Sequence, residues 1–415
     1  MRMTRKPWLA LAGLPVVLTA QDVDSRWRFS GFGTLGLAVS STDQVEFSRE
    51  LSQPRGTSRS LDPRLDSRLG LQVNVSLSED FSFVGQVVSK YRYDQTFKPD
   101  LSWAFLSYAP TSGLQVRAGR LGWDVFQLAE TRYVGFSNLW ARPPVDFYGP
   151  LQVFSMDGGD VAWRTPLGEG QSLRLKVSLG QAWEKMPTRT PGEYQELKGG
   201  KLLGSLAEFQ GESLHFRVAY ARFQPARDFI PSVIGLREGV RAYASLLNDP
   251  DLAQQAEAMV LKDRVFNYYS AGLNWQQGPF RIDAVGAKVR SSAGLFSSSN
   301  LGYASIGYRV GAVVPYLLVS RVATSKPAPY VGALPGLGPQ GAVLAGGITE
   351  FVAASNADQK TAALGLRWDL HPRAALKVQV DRMSADPKAT LLWLQAQPGW
   401  DGKATLASVV LDFVF

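Results

Sequence analysis

The stretch Leu-Asp-Ser-Arg-Leu-Gly-Leu-Gln-Val-Asn-Val-Ser-Leu, residues 65–77, alternates apolar and polar side chains almost without a break. Successive side chains of a β-strand point to opposite faces of a sheet, so this alternation predicts a strand with one apolar and one polar face. Fifteen further segments share the period: 27–40, 81–93, 101–109, 113–121, 153–165, 171–184, 201–209, 213–223, 264–276, 279–291, 300–309, 311–323, 359–369, 373–384 and 403–415. The pattern predicts an all-β chain of about 16 strands.

The connections between these segments alternate in length. Seven are tight turns, at 79–80, 110–112, 166–170, 210–212, 277–278, 310 and 370–372. Eight are longer loops, at 41–64, 94–100, 122–152, 185–200, 224–263, 292–299, 324–358 and 385–402. A transmembrane up-and-down antiparallel β-barrel has short turns at one end and long loops at the other. A soluble sandwich would not keep so strict an alternation.

The composition agrees with a barrel and excludes several other classes. A length of 415 residues would suggest two or three soluble domains. However, the mean hydropathy of −0.08 and the 45% hydrophobic residues indicate apolar side chains spread one in two along the chain. With no Cys and two His, thiol chemistry, disulfides and zinc or iron–sulfur sites are excluded. We expect no catalytic residue, no metal and no cofactor.

The N-terminus has the layout of a secretory signal peptide. Arg2, Arg5 and Lys6 precede an apolar run from Trp8 to Leu18, and Ala20 precedes a polar stretch. The run is too short to cross a bilayer, which takes about 20 residues. We predict a signal peptide at 1–20 and a single barrel at 21–415. Cleavage removes three of the eight excess positive charges, so the charge does not favour nucleic acid as a partner.

Aromatic residues cluster at the ends of the predicted strands, as the two headgroup layers of a membrane favour. Those near the tight turns are Phe81, Tyr108, Trp163, Phe209, Trp275, Phe280, Tyr308 and Trp368. Those near the long loops are Tyr91, Tyr93, Trp103, Trp183, Phe223, Tyr268 and Tyr303. Ordinary enrichment of aromatics in strands is the alternative for any single residue.

The chain ends in mid-strand on Phe415, with Phe413 on the same face, which resembles the C-terminal assembly signal of bacterial outer-membrane proteins. The segments that resemble proteobacterial porins are 30–36, 116–121, 129–132, 138–144 and 146–148. This resemblance implies a trimeric, water-filled pore of 16 strands in the outer membrane of a Gram-negative bacterium, with the third long loop folded inward. It also implies contact with outer-membrane lipid and with the outer-membrane assembly machinery.

The parity of the strands places many basic residues on the face opposite the apolar one. They are Arg28, Arg68, Lys90, Arg92, Arg117, Arg164, Arg174, Lys176, Arg217, Arg281, Arg309, Arg367 and Lys377. Inward acids are fewer: Asp66, Asp160, Asp283 and Asp412. A lumen rich in Lys and Arg biases a pore toward anions. The equally weighted alternative is a solvated wall in which these bases pair with acids.

The loop at 122–152 is the predicted constriction, because its aromatic residues would be costly in a freely exposed segment. It carries Asp124, Glu130 and Asp146 beside Arg132 and Arg142. We hypothesise that the three acids face Arg68, Arg92 and Arg117 across the lumen. Arg28, Lys90, Arg174, Lys176 and Arg217 are predicted to line the wall.

Three other motifs carry weaker hypotheses. Gly31-Phe-Gly-Thr-Leu-Gly36 matches a dinucleotide fingerprint, but the strand alternation runs through it, where a nucleotide site needs a helix to begin. His215 and His371 lack a nucleophile or ligand spacing. Residues 237–262 predict a helix in a loop, interrupted near Pro250.

The sequence thus favours a porin through which small hydrophilic solutes or ions diffuse passively, with a possible preference for anions or carboxylates. Two alternatives stay open at this point. One is an outer-membrane barrel with a hydrolytic site beside His215 or His371. The other is a non-conducting adhesin or structural barrel whose long extracellular loops at 224–263 and 324–358 bind a partner.

Overall fold

The structure is a computed structural model that describes residues 26–188, 193–294, 298–325 and 329–415. The predicted signal peptide, residues 1–20, lies outside the described residues. The described chain also has two small two-stranded antiparallel sheets: Glu46–Phe47 pairs with Trp393–Leu394, and Lys185–Pro187 pairs with Tyr194–Glu196.

Sixteen strands of the described chain form one closed barrel in which sequence neighbours pair antiparallel. The strands are β1 Trp27–Ser40, β2 Arg68–Ser76, β3 Phe81–Lys90, β4 Asp100–Tyr108, β5 Leu114–Gly122, β6 Ser155–Gly168, β7 Gln171–Gln181, β8 Lys201–Gln210, β9 Leu214–Gln224, β10 Phe266–Gln277, β11 Phe280–Ser291, β12 Ser299–Tyr308, β13 Val313–Thr324, β14 Ala357–His371, β15 Ala374–Thr390 and β16 Lys403–Val414. The prediction of a 16-stranded antiparallel barrel is confirmed, with shifts of a few residues at the strand ends.

The barrel closes where β1 pairs with β16, in a register that sets Gly33 opposite Phe413. A Cβ atom at Gly33 would lie 2.3 Å from the Phe413 ring, so the glycine leaves space for that ring. Gly31 leaves the same space for Phe415. The terminal aromatic face therefore packs on glycines of the first strand, which explains the glycine spacing without a nucleotide site.

The outward face of the barrel is apolar, as contact with lipid requires. Exposed side chains include Leu35, Leu71, Val177, Val319 and Leu364. Most of the aromatic row predicted near the tight turns is exposed there: Phe81, Tyr108, Trp163, Phe280, Tyr308 and Trp368. The row predicted near the long loops is wrong in part: Tyr91, Tyr268 and Tyr303 are buried.

The loops of the described chain contain four α-helices: α1 Val145–Tyr148, α2 Pro231–Leu247, α3 Pro250–Ala258 and α4 Gly338–Ser355. The predicted interruption near Pro250 is confirmed. Asn248 adopts a left-handed backbone with φ of 50°, and the Asp249 carboxylate caps α3 by accepting from Leu252 N–H. Helix α4 was not expected from the sequence. Among the described residues, no helix is both long enough and apolar enough to cross a membrane.

Close to the seam between β1 and β16, a buried ion pair lies on the inner face. Lys377 Nζ on β15 is 2.8 Å from Asp412 Oδ2 on β16, and both side chains are fully buried. The Thr34 hydroxyl on β1 donates to Asp412 Oδ1 at 2.5 Å. Removing one partner of such a pair leaves an uncompensated buried charge, whereas replacing both is much less costly.

We predict that Lys377→Met lowers the free energy of unfolding by about 3–5 kcal/mol, because Asp412 loses its cation. The double variant Lys377→Met, Asp412→Asn should recover part of that loss. Urea unfolding in detergent micelles measures both, with Lys388→Met, an exposed cation near the end of β15, as the control. Equal losses in the single and double variants would contradict this role of the pair.

Candidate pore constriction

The third long loop, residues 123–154 between β5 and β6, folds into the barrel and packs on its inner wall. Its aromatic residues provide the apolar part of that contact. Trp140, Phe147 and Tyr148 surround Tyr303 of β12, with ring centroids 5.4, 5.4 and 6.0 Å from the Tyr303 ring. The predicted inward fold of the loop is therefore observed. Tyr303 is on the inward face of β12, where its ring contacts the loop.

The first charged anchor of the third loop is Asp124, just after β5. Its carboxylate accepts from Arg217 of β9 at 2.8 Å and from Lys176 of β7 at 3.1 Å, and Arg174 lies 3.5 Å away. Burial alone would raise the pKa of Asp124, but these three cations outweigh burial and hold the pKa well below its ordinary range. The beginning of the loop is thus fixed against the wall at β7–β9.

The second anchor is Arg142, on the opposite side of the lumen. Its guanidinium is 2.7 Å from Asp66 Oδ2 in the first loop and 3.1 Å from Asp381 Oδ2 on β15. It also donates to the Ser408 hydroxyl of β16 at 2.5 Å. One side chain therefore joins the third loop, the first loop and two strands in a buried site.

Between these anchors, the loop turns its backbone carbonyls toward wall cations. Lys377 Nζ donates to Gly135 O at 2.7 Å and to Trp140 O at 3.0 Å. Arg367 of β14 donates to Phe136 O and Asn138 O, each at 2.7 Å. These inward cations therefore bind the loop rather than line a wide lumen.

The third anchor, Asp146 in α1, is bound by neutral hydrogen-bond donors, and no Lys or Arg of the described chain pairs with it. It accepts from Ser320 at 2.8 Å, from Gln359 at 2.6 Å and from Thr361 at 2.9 Å. Burial raises the pKa of Asp146 to about 6, in spite of these three donors. The docking of α1 on β13 and β14 is thus sensitive to pH.

Toward β3–β5, the contacts of the loop are more exposed. Glu130 Oε1 is 2.8 Å from Arg117 NH2 of β5, and Arg117 also pairs with Asp160. Lys90 of β3 pairs with Glu50 of the first loop. The exposed fractions of the Lys90, Glu130 and Arg117 side chains are 22%, 16% and 10%, whereas that of Arg142 is 2%. Solvent therefore reaches the level of the third loop beside β3–β5.

The structure brings most of the predicted constriction residues to the third loop, but with different partners. Glu130 faces Arg117, as hypothesised. Asp124 pairs instead with Arg174, Lys176 and Arg217, which were expected only as wall residues. Arg68 donates to the backbone oxygen of Tyr133 at 2.7 Å, and Arg132 pairs with Glu50 at 2.6 Å.

Arg92 does not lie at the constriction, where the strand pattern predicts it. Strand β3 ends at Lys90, so the alternation that would have turned Arg92 inward stops before it. Arg92 lies in the second loop, 3.5 Å from Asp94 and 3.8 Å from Asp100. Arg28 is exposed on β1, near the tight-turn end. Neither residue lies at the constriction.

The strand pattern does not predict that the first loop contributes charged residues to the constriction. Glu50 joins Lys90 and Arg132, and Arg49 lies 3.6 Å from Asp66. No strand period covers these loop residues, so parity could not place them. The run Arg49-Glu50, together with Arg55 and Arg64, is an unusual charge density for a loop and was the available signal.

The two histidines do not form a hydrolytic site at the lipid face. His215 faces inward, with ring nitrogens 2.5 Å from Glu208 Oε1 and 3.1 Å from Asn274 Oδ1. His371 is exposed and accepts from Arg373 N–H at 3.2 Å. Both contacts are explained by polar pairing within the wall and turn.

A closed 16-stranded antiparallel barrel with its third loop folded inside has the fold of the Gram-negative porins. No family model matches the chain, and no curated protein matches it in sequence. Solved structures do match. OmpT of Vibrio cholerae, folded in vitro and in its trimer form, is 9% identical with a TM-score of 0.51, covering 94% of this chain and 100% of that one.

Two other porin structures are similar. The anion-selective porin from Comamonas acidovorans is 13% identical with a TM-score of 0.52, and the match covers 94% of this chain and 99% of that one. OmpF of Salmonella typhi, in complex with daunomycin, is 12% identical with a TM-score of 0.53, covering 94% and 97%. At such identities the likeness establishes the fold, and selectivity has to be argued from the residues of this chain.

We predict that acid strengthens the docking of α1. Because the pKa of Asp146 is raised to about 6, its contribution to stability is fully present below its ordinary value near 3.8 and is lost as the pH rises through about 6. The stability difference between the wild type and Asp146→Asn should therefore change by about 2–3 kcal/mol between pH 4 and pH 7.5, from about 1.4 kcal/mol per pKa unit. Unfolding in detergent at both pH values measures it. Asp43→Asn, in an exposed loop, should show no such change.

We also predict that Arg142→Ala loosens the third loop and raises single-channel conductance. The substitution leaves Asp66 and Asp381 without their shared cation, so the loop loses its clamp to β15 and β16. Arg142→Lys keeps the positive charge but loses the paired N–H donors of the guanidinium. Its conductance should therefore lie between those of the wild type and Arg142→Ala. If Arg142→Ala folds and has the same conductance as the wild type, Arg142 does not hold the third loop against β15 and β16.

Proposed function

We propose that this protein is an outer-membrane porin that passes small hydrophilic solutes through a narrow, charged passage beside β3–β5. The observation that carries the proposal is the position of the third loop. It is anchored in buried contacts to β7–β9 and to β12–β16, while Lys90, Glu130 and Arg117 keep contact with solvent. A barrel of 16 strands is too wide for its own side chains to fill, so the loop sets the width of the passage.

The charges along this passage support a preference for anions, including small carboxylates. On the long-loop side of the third loop, a small polar pocket lies between the first loop, β2 and β3. Its described lining includes four cations, Arg49, Arg64, Arg68 and Lys90, and two acids, Glu50 and Asp66. Both acids are already paired within the cluster. Arg64 pairs with Asp62 outside the lining, so Arg68 is the lining cation that forms no ion pair in the described chain.

Arg68 is the residue best suited to meet a solute in that pocket. Its Nε donates to Tyr133 O, whereas its buried Nη2 has no hydrogen-bond partner. A guanidinium with a free donor matches the geometry of a carboxylate or phosphate oxygen. An anion entering from the long-loop side would thus meet Arg68 and Lys90 before Glu130 and Arg117.

Export, location and assembly are parts of the same proposal. The segment 1–20 would direct the chain across the inner membrane, and the terminal Phe413 and Phe415 would be read by the outer-membrane assembly machinery. The trimer form recorded for OmpT supports a homotrimer. The long loops would then face the cell exterior.

Planar-bilayer recording tests the function. We predict stepwise conductance, with a reversal potential in a salt gradient that shows anion preference. Arg68→Gln should reduce that preference, because it removes a cation from the entrance, whereas Arg59→Gln, which removes an exposed cation of the first loop, should not. A folded but silent barrel would contradict the porin, and an unchanged reversal potential in Arg68→Gln would contradict the proposed anion path.

A further inference from the structure

His215 lies on the inner face of β9, near the tight turns, and both nitrogens of its ring face oxygen atoms. Nε2 lies 2.5 Å from Glu208 Oε1 on β8, and Nδ1 lies 3.1 Å from Asn274 Oδ1 on β10. A neutral histidine has one ring donor and one ring acceptor, whereas a doubly protonated histidine donates from both nitrogens. The nature of the two oxygen atoms therefore decides which form of the ring fits this site.

The oxygen of Glu208 can only accept a hydrogen bond. The other oxygen of the same carboxylate lies 2.9 Å from Arg174 NH1 on β7, and this cation favours the ionised carboxylate. An ionised carboxylate has no proton to donate. Nε2 of His215 therefore carries a proton.

The amide of Asn274 is oriented by a second carboxylate. Its Nδ2 donates to Asp283 of β11, which pairs with Arg281 at 2.8 Å and is therefore an acceptor. The amide oxygen of Asn274 thus faces His215, and it also accepts from Nε2 of Gln127 in the third loop. Nδ1 of His215 has to donate as well, so the site fits the doubly protonated ring.

Asn274 connects His215 to a strained part of the third loop. The buried Oε1 of Gln127 has no hydrogen-bond partner in the described chain, so the hydrogen bond to Asn274 is the one that holds this side chain. The next residue, Leu128, has φ of 64°, a left-handed backbone that is unfavourable for a residue with a branched side chain. Glu130, beside the proposed passage, follows two residues later.

We propose that His215 is a pH-dependent positioning residue for the third loop, an inference that rests on the proposed porin function. The doubly protonated ring donates to Glu208 and to Asn274, and the loop stays in place. When the ring loses one proton, it presents a lone pair to one of these oxygens. Asn274 then turns away and releases Gln127, so that Leu128 relaxes and Glu130 moves into the passage.

The charged groups around this site come from every element packed against it. They are Arg174 of β7, Glu208 of β8, Arg217 of β9, Arg281 and Asp283 of β11, and Asp124 of the third loop. Each of the three carboxylates pairs with an arginine. Histidine is the side chain that ordinarily changes charge between pH 5 and pH 8, and the His215 side chain is 17% exposed, so protons from solvent reach it.

NMR of the ring nitrogens tests the hydrogen bonds. The chain has two histidines, so His371→Gln in the untagged protein leaves His215 as the single site of nitrogen-15 histidine labelling. We expect both ring N–H signals at pH 5, because hydrogen bonds slow their exchange with water, and one of them at pH 8. Asn274→Leu should remove the Nδ1–H signal alone. Absence of the Nδ1–H signal from the parent protein at pH 5 would overturn the proposal.

Single-channel recording tests the effect on the third loop. Because Asp146 also titrates near pH 6, the recordings use Asp146→Asn as the parent protein. We expect brief closures to be about tenfold more frequent at pH 8 than at pH 5, since a hydrogen bond to a charged group changes an equilibrium by at least that factor. His215→Phe should close frequently at both pH values. His371→Gln removes the exposed histidine and should keep the response to pH.

A variant in the loop keeps the test valid if His215→Phe does not fold. Gln127→Ala should close frequently at both pH values while both ring N–H signals of His215 persist at pH 5. Equal closure frequencies of the parent protein at the two pH values, or an unchanged pH response in His215→Phe or in Gln127→Ala, would overturn the proposal.

A folded barrel without current would refute the porin but not the positioning role. In that case the side-chain amide signal of Gln127, assigned with Gln127→Ala, replaces the current. It should shift between pH 5 and pH 8 in the Asp146→Asn parent and stay constant when His215→Phe is added. A signal that is constant in both proteins would overturn the proposal.

Discussion

The stability of the barrel depends on the ion pairs and hydrogen bonds that the third loop makes with the charged side chains of the inner wall. An inward lysine or arginine in a dry environment needs a carboxylate or carbonyl within hydrogen-bond distance, because an unpaired buried charge is very costly. Asp124 meets this need at β7–β9, Arg142 at β15–β16, and the carbonyls around Gly135 at Lys377. The loop and the wall thus stabilise each other, and the position of the loop follows from the charges.

Much of the fold could be predicted because a barrel strand repeats its environment every second residue. Parity placed Lys176, Arg217 and Lys377 inward, and the alternation of turns and loops gave the strand order. It failed at Arg92, where the strand stops, and the predicted aromatic row failed at Tyr303, whose inward ring contacts a loop residue more than 150 positions away in sequence. The partners of Asp124 and Glu50 depend on how loops cross the lumen, and no local pattern encodes that.

The basic residues of the inner face serve two purposes. Most of the cations near the third loop are paired with carboxylates or backbone carbonyls and hold that loop in place. Arg68 forms no ion pair in the described chain and lies at the pocket beside the first loop, where we propose that a permeating anion meets it.

We propose that the third loop closes the lumen against β12–β16 and leaves a passage beside β3–β5. Single-cysteine variants test it directly, because the chain has no cysteine of its own. Current through Glu130→Cys and Ser320→Cys channels would be recorded before and after a charged, membrane-impermeant thiol reagent. We expect a reduced current for Glu130→Cys and no change for Ser320→Cys, because Ser320 is buried under Asp146. The reverse pattern would contradict it.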